Sequence, residues 1–364
     1  MMTRQLSLVH ACLFGAISFA AITNSANACS RILFRGDGNL VITGRTMDWM
    51  EDIQSNVWLF PRGMERNGAA GPNSLSWTSQ FGSVVLSVYD KGTTDGMNET
   101  GLVVNALYLS ESDYGTPDRT RPLMAVTAWA QYVLDNFGSV NDAISTLQSE
   151  TFNLVAPTLP NGSPAVAHLA LSDPTGDSAV LEYVDGKLTI HFGQEFRVMT
   201  NSPNFERQLA INSYWKEIGG SNFMPGTIDS PDRFVRASYL LGALPTKADP
   251  KFISAIPNGN FDRQAAAGVL GVLRSVSVPL GFSDPARPNV ATTLWRTMYD
   301  QKNMVMYFDS ATTMCSFWLP MAELDFKPGA PVRKLTLTGG RSITGNATGN
   351  FENARPFAFL GTSP

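Results

Sequence analysis

The chain has 364 residues, 27 basic against 31 acidic side chains and 43% hydrophobic residues, which is enough to bury a large core and excludes disorder for most of its length. A formal charge of -4, with no Lys or Arg run longer than a pair, excludes the basic surface that a phosphate backbone needs, so nucleic acid is not an expected partner.

Residues 1–28 read as a signal peptide to be removed. Arg4 is their only charge, an apolar stretch runs from Leu6 to Ile22, and Ala26-Asn27-Ala28 gives the small-x-small pattern at which a signal peptidase cuts. The apolar stretch is at the short limit for spanning a bilayer. Cleavage after Ala28 leaves 336 residues with a charge of -5, expected in the periplasm or secreted, and without a membrane partner. Cys12 leaves with the signal, so Cys29 and Cys315 remain. An exported protein can bridge such a pair, and the sequence leaves open whether these two pair. The cut also makes Cys29 the first residue of the mature chain.

Short apolar or alternating runs at Ser30 to Phe34, Leu40 to Gly44, Val57 to Phe60, Val84 to Tyr89 and Leu102 to Leu109 predict strands, with Asp37-Gly38 as a hairpin turn and Lys91 to Gly96 as a connection. From Pro122 to Asn136 the spacing changes to three and four and predicts a helix, followed by a second from Val140 to Leu147 behind Ser139 as N-cap. Strand patterns return at Ala165 to Leu171, Ala179 to Val184, Leu188 to Phe192 and Phe196 to Thr200, an expected antiparallel meander. Helices are predicted around Phe205 to Trp215, Asp232 to Leu241 and Phe261 to Val276, then strands at Thr292 to Tyr299, Met304 to Phe308 and Ser316 to Leu319. Blocks of strands alternating with groups of helices argue for an α+β layered fold over residues 29–364, a single domain whose Gly- and Asn-rich end, from about residue 338, reads as a loosely packed tail.

The chemistry is narrowed by what is missing. After cleavage only His168 and His191 remain, each in a strand pattern where a sheet-face role is the simpler reading. There is no metal-ligand spacing, no G-x-S-x-G and no phosphate loop, so no metal or cofactor is expected. An N-terminal cysteine suits catalysis of this kind: its thiol is a nucleophile, and its α-amine, with a reference pKa of about 7.7–8.0, can serve as the base. A nearby arginine would favour thiolate.

The run Cys29-Ser30-Arg31-Ile32 with Gly44-Arg45-Thr46-Met47-Asp48-Trp49 resembles the start of the choloylglycine hydrolase and penicillin V acylase family, whose members are N-terminal nucleophile amidases with an αββα sandwich. Asp95-Gly96-Met97-Asn98-Glu99-Thr100-Gly101-Leu102, Thr200-Asn201-Ser202-Pro203, Met224-Pro225-Gly226 and Asp232-Arg233-Phe234-Val235-Arg236-Ala237 continue the resemblance in order, with Met224 and Asp232 replacing Leu and Ser. It implies Cys29 as nucleophile, Arg45 favouring thiolate and Asp48 holding the amine. Asn201 would be an oxyanion donor, joined by the backbone N–H of Tyr108, and Arg233 would complete the polar cluster. Tyr108 stands where penicillin-cleaving members carry Tyr and bile-salt-cleaving members Asn, and Trp49 is a candidate for the acyl pocket. The implied activity is hydrolysis of a linear amide with a hydrophobic acyl group, of the penicillin V or N-acyl homoserine lactone type. Conjugated bile salts are the alternative substrate, and the family's homotetramer is a state the sequence leaves open. A reading of another class is a non-catalytic ligand-binding lipoprotein lipidated at Cys29, against which stands the lack of Leu three residues before it.

Overall fold

The computed structural model describes residues 29–118, 120–219, 223–282, 284 and 290–362. The predicted signal peptide therefore lies outside the described residues. Two mainly antiparallel sheets form the centre. The first has the strand order Val198–Thr200, Ser30–Gly36, Leu40–Trp49, Thr292–Asp300, Val305–Ser310, Ser316–Pro320 and Gly345–Asn346. The second runs Lys187–Phe192, Ser178–Val184, His168–Ser172, Val103–Leu107, Gly92–Asn98, Ser83–Val88, Val57–Phe60, Arg333–Leu335 and Glu352–Asn353.

Among the described residues, five α-helices cover the outer faces. Helices α1 (Val126–Asn136) and α2 (Val140–Leu147) close the second sheet over Val85, Val104, Leu169 and Leu181. Helices α3 (Phe205–Ile218), α4 (Ser230–Ala243) and α5 (Phe261–Ser275) lie on the side of the first sheet. Each layer hides its apolar face against the next, giving the layered order expected from the alternating blocks and the αββα sandwich the resemblance implies. Ser139 caps α2 by accepting from the Asp142 amide at 3.1 Å, and Asn204 and Asn260 cap α3 and α5 in the same way.

Four expectations change. Gly92–Asn98 is not a connection but a buried inner strand of the second sheet. Its Thr, Asp and Asn side chains make polar contacts inside the protein, so it shows no apolar alternation. Val198–Thr200 does not continue the meander: it pairs with Ser30–Ile32 in the first sheet. The end of the chain is packed, with Phe357 edge-on to Trp58 and Phe60 at centroid distances of 5.3 and 5.6 Å and Phe359 near Trp77 at 6.5 Å. These rings provide apolar contacts that the surrounding Gly and Asn residues mask in a composition average. The first predicted helix also starts later, because Leu123–Ala125 pairs as a short strand with Asn153–Val155.

The Asp95-to-Leu102 motif is largely architectural. Gly96 lets α1 approach: a Cβ there would lie 2.9 Å from Leu134 and 2.8 Å from the Val84 carbonyl. Asn98 Nδ2 donates to the Leu134 and Phe137 carbonyls at the end of α1, at 3.0 and 2.8 Å, while its Oδ1 accepts from the Thr100 and Leu102 amides. Asn98→Ala would strand these buried groups at a cost of about 2–4 kcal/mol. The expected result is a melting temperature lowered by several degrees with activity per folded molecule retained. A melting curve unchanged from wild type would show that the side chain does not hold the helix end.

Candidate active site

Cys29 opens the chain's first described strand hairpin, in which Ser30 pairs with Thr46 and Arg31 with Arg45. This register brings its thiol to Asp48, whose amide lies 3.4 Å from Sγ. Arg45 Nη2 donates to Sγ at 3.2 Å. The guanidinium is fully buried and its other donors are used: Nε reaches the Thr46 carbonyl at 3.2 Å, and Nη1 the Thr94 and Ala106 carbonyls at 3.0 and 2.9 Å. Those two carbonyls belong to the second sheet, so Arg45 spans the sandwich. The ring of Trp295 lies 5.3 Å from the guanidinium carbon.

Asp48 has a different setting from Arg45, although both lie on Leu40–Trp49. Its Oδ2 accepts from Thr46 Oγ1 at 3.0 Å, and its buried Oδ1 has no partner. No salt bridge joins it to Arg45 among the described residues. Burial raises the Asp48 carboxyl to about 6, opposed by Arg233, Thr293, Thr46 and Arg45. Burial also raises the Cys29 thiol, while Arg45 draws it down. The net direction departs from the expectation that a nearby arginine leaves a low-pKa thiolate: desolvation outweighs the cation, and the resting thiol needs a proton acceptor.

Arg233, from α4, fixes the backbone around the cysteine. Its Nη1 donates to the Cys29 carbonyl at 2.7 Å and Ser30 Oγ at 2.6 Å, and its Nε to the Ile228 carbonyl at 2.8 Å. Burial lowers its pKa to about 10, with Asp48 and Cys29 opposing the shift. Its Nη2 approaches Asn201 Oδ1 at 3.4 Å, and Asn201 Nδ2 donates to the Tyr108 carbonyl at 2.7 Å. Trp49 and Tyr108 meet edge-on at 5.6 Å, and both line the apolar cavity into which Cys29 faces. All seven residues singled out in the sequence thus converge. Among the described residues no group of three His, Cys, Asp or Glu side chains is arranged to hold a metal.

The two cysteines are unbridged, and Cys315 lines a separate cavity with Phe308 and Phe317. His168 is buried with Nδ1 2.7 Å from Glu182, whose two oxygens also accept from the Phe205 amide at 2.9 and 3.1 Å. Glu182 therefore anchors the start of α3, four residues beyond Asn201. His191 packs against the Phe196 and Phe205 rings. Two contributors escaped the sequence reading. Asp95, the first residue of the Asp95-to-Leu102 motif, accepts from Thr297 and Tyr299 hydroxyls at 2.5 and 2.8 Å across the sandwich, and burial raises its carboxyl while Arg45 opposes the shift. Glu182 carried no local signal, since its partners are 14 and 23 residues away.

Residues 29–327 match the linear amide C–N hydrolases of the choloylglycine hydrolase family, and the chain belongs to that family. It is a hydrolase of the linear amide C–N bond class. It is 43% identical over 365 residues to a penicillin V acylase of Pectobacterium atrosepticum, covering 95% of this chain and 96% of that protein. The solved structure of penicillin V acylase from Agrobacterium tumefaciens superposes with a TM-score of 0.82 at 46% identity, over 92% of this chain and all of that one. A bile salt hydrolase/transferase of Bifidobacterium longum is 24% identical over 326 residues, 82% of this chain and 96% of that protein. These neighbours share the N-terminal nucleophile hydrolase fold.

Replacing Arg45 by Met removes the cation beside Sγ and leaves the Thr94 and Ala106 carbonyls without their donor. Alkylation of Cys29 at fixed pH should slow at least tenfold, one pKa unit's worth, and the protein should lose about 3–5 kcal/mol of stability. An unchanged alkylation rate in folded protein would show that Arg45 does not tune the thiol.

Proposed function

We propose that this protein is an exported cysteine amidase whose nucleophile is created by cleavage after Ala28, and that it hydrolyses amides joining a hydrophobic acyl group to a polar amine. The observation that carries this reading is the two-sided setting of Cys29: its thiol meets Arg45 at an apolar cavity, while the nearby buried Asp48 keeps a carboxylate oxygen without a donor. A free α-ammonium on Cys29 is the group that suits that oxygen. The family match beginning at residue 29 supports the same start.

In the reaction, the α-amine takes the thiol proton as Sγ attacks the amide carbon. The carbonyl electrons move to oxygen, where the second hydrogen of Asn201 Nδ2 and the Tyr108 backbone N–H are the proposed donors. Collapse breaks the C–N bond, and the ammonium returns its proton to the leaving nitrogen. Water then attacks the thioester: the amine accepts a water proton, the C–S bond breaks and the thiol is restored. Arg45 stabilises developing thiolate charge, Arg233 holds the Cys29 carbonyl and Asn201, and Asp48 orients the amine.

Trp49, Tyr108, Leu107 and Leu159 make the cavity predominantly apolar, supporting a phenoxyacetyl or linear acyl group as in penicillin V or an N-acyl homoserine lactone. The named relatives at 43% and 46% identity support penicillin V among these. A buried Sγ facing this cavity argues against a lipid thioether there.

Cys29→Ala should secrete and fold while losing amide hydrolysis, and retained turnover of penicillin V, acyl homoserine lactones and glycocholate alike would sink the mechanism. A protein with one untrimmed residue added before Cys29 should also be inactive, because an amide nitrogen is no base. The pH profile gives a separate check. The base is the neutral α-amine, so kcat/KM should fall on the acid side as the amine takes up a proton, around or above its reference pKa of about 7.7–8.0, and before the Asp48 carboxyl, raised by burial to about 6, is neutralised. A rate flat from pH 8 down to pH 5 would show that the α-amine is not the base.

A further inference from the structure

The apolar cavity at Cys29 reaches beyond the space between the sheets. Its walls include Cys29 and Arg45 of the first sheet and also Val126 and Thr127, the first turn of α1, which covers the outer face of the second sheet. A group entering at the thiol therefore extends across the rim of the second sheet toward that helix start. There the turn after Ser83–Val88 meets the helix closely: a Cβ on Gly92 would lie 3.1 Å from Thr127 Cβ and 3.2 Å from Val88 Cγ1.

One residue near the chain's end fastens these two walls together. The Leu360 amide donates to the Lys91 carbonyl at 2.7 Å, and the Leu360 carbonyl accepts from Thr127 Oγ1 at 2.6 Å. The segment is anchored upstream by Phe357 and Phe359, with the Arg66 guanidinium over Phe60 and near the Phe359 ring at 4.2 and 5.9 Å. The closure thus depends on two hydrogen bonds to a strap that is held elsewhere. Loss of either bond leaves the strap's aromatic anchors untouched.

We infer that the C-terminal segment around Leu360 is the end-stop of the acyl pocket, and that its clasp on Thr127 and Lys91 limits the length of acyl chain the enzyme accepts. The inference rests on the amidase reading and adds a specificity determinant remote from the nucleophile in sequence. A linear chain longer than the pocket must displace the clasp, whereas a shorter one leaves it shut.

The test uses mature full-length protein and amides of one common amine with linear acyl groups of increasing length. Thr127→Val keeps the branched shape but loses the hydroxyl, and Leu360→Pro loses the amide hydrogen. Each should raise the ratio of kcat/KM for acyl groups beyond the wild-type limit to that for groups within it at least tenfold. Asn98→Ala, which weakens α1 from its other end, separates this effect from loss of stability and should leave the ratio unchanged. A ratio unchanged in both clasp variants, or one raised equally by Asn98→Ala, overturns the end-stop. Calorimetric titration with free linear carboxylic acids, in the Cys29→Ala background, reads pocket length without turnover. Binding should cut off at a chain length that Thr127→Val extends. If wild type hydrolyses none of the amides while this shift in binding is seen, the amidase reading fails and the end-stop stands. No binding, or the same cut-off in the variant, overturns the end-stop itself.

Discussion

The site depends on a buried guanidinium that joins the two sheets. Arg45 leaves the first sheet, donates to two carbonyls of the second and places its remaining edge against the Cys29 thiol. Burying an arginine carries a desolvation penalty of several kcal/mol, offset when every donor is met and negative charge lies nearby. A thiolate at Cys29 would supply such charge, as would an ionised Asp95, whose carboxyl burial raises while Arg45 opposes the shift. Arg31 repeats the geometry further along the sandwich, reaching the Leu171 carbonyl and Ser178 hydroxyl at 3.2 and 3.1 Å. The same contacts that fix the spacing of the sheets therefore prepare the electrostatic environment of the nucleophile.

That environment divides the work between two groups of residues. The thiol faces Arg45 and the apolar cavity, while Asp48 and Arg233 gather around the cysteine's backbone. A nucleophile and a base on one residue need such an arrangement, since the substrate must reach sulfur while the amine is held in a polar setting. Burial raises both the thiol and the Asp48 carboxyl, so neither takes its charged form at low cost. An ammonium beside Asp48 and an arginine beside sulfur compensate for this in the proposed mature protein.

The polar loops that complete the site are held from outside it. Glu182 ties the start of α3 to His168, and Gln208 of the same helix donates to the Thr200 carbonyl at 3.0 Å, bracketing Asn201 between two buried anchors. On the far side, Ser202 donates to Glu111 at 2.6 Å, linking the Asn201 loop to the segment after Tyr108. The relative position of the two proposed oxyanion donors is thus set by contacts more than 90 residues apart in the chain.

The sequence by itself determined the layered class and most of the strands and helices, because apolar period and caps are local properties of the chain, and its resemblance in short motifs pointed to the residues that gather at Cys29. Asn98 and Arg233 illustrate the limit of that information: one motif residue caps a helix and another clamps the cysteine, yet in the sequence both are simply polar members of a short motif. The buried polar strand Gly92–Asn98 was illegible because its side chains answer to partners on other strands, and a period of two in hydrophobicity never develops. Only the tertiary structure decided that Asp48 and Arg45 serve different sides of the cysteine, that Val198–Thr200 changes sheets, and that Leu360 bonds Thr127 at the start of α1. Each of these follows from strand register, desolvation or a contact between distant segments, and such quantities exist only once the layers have packed.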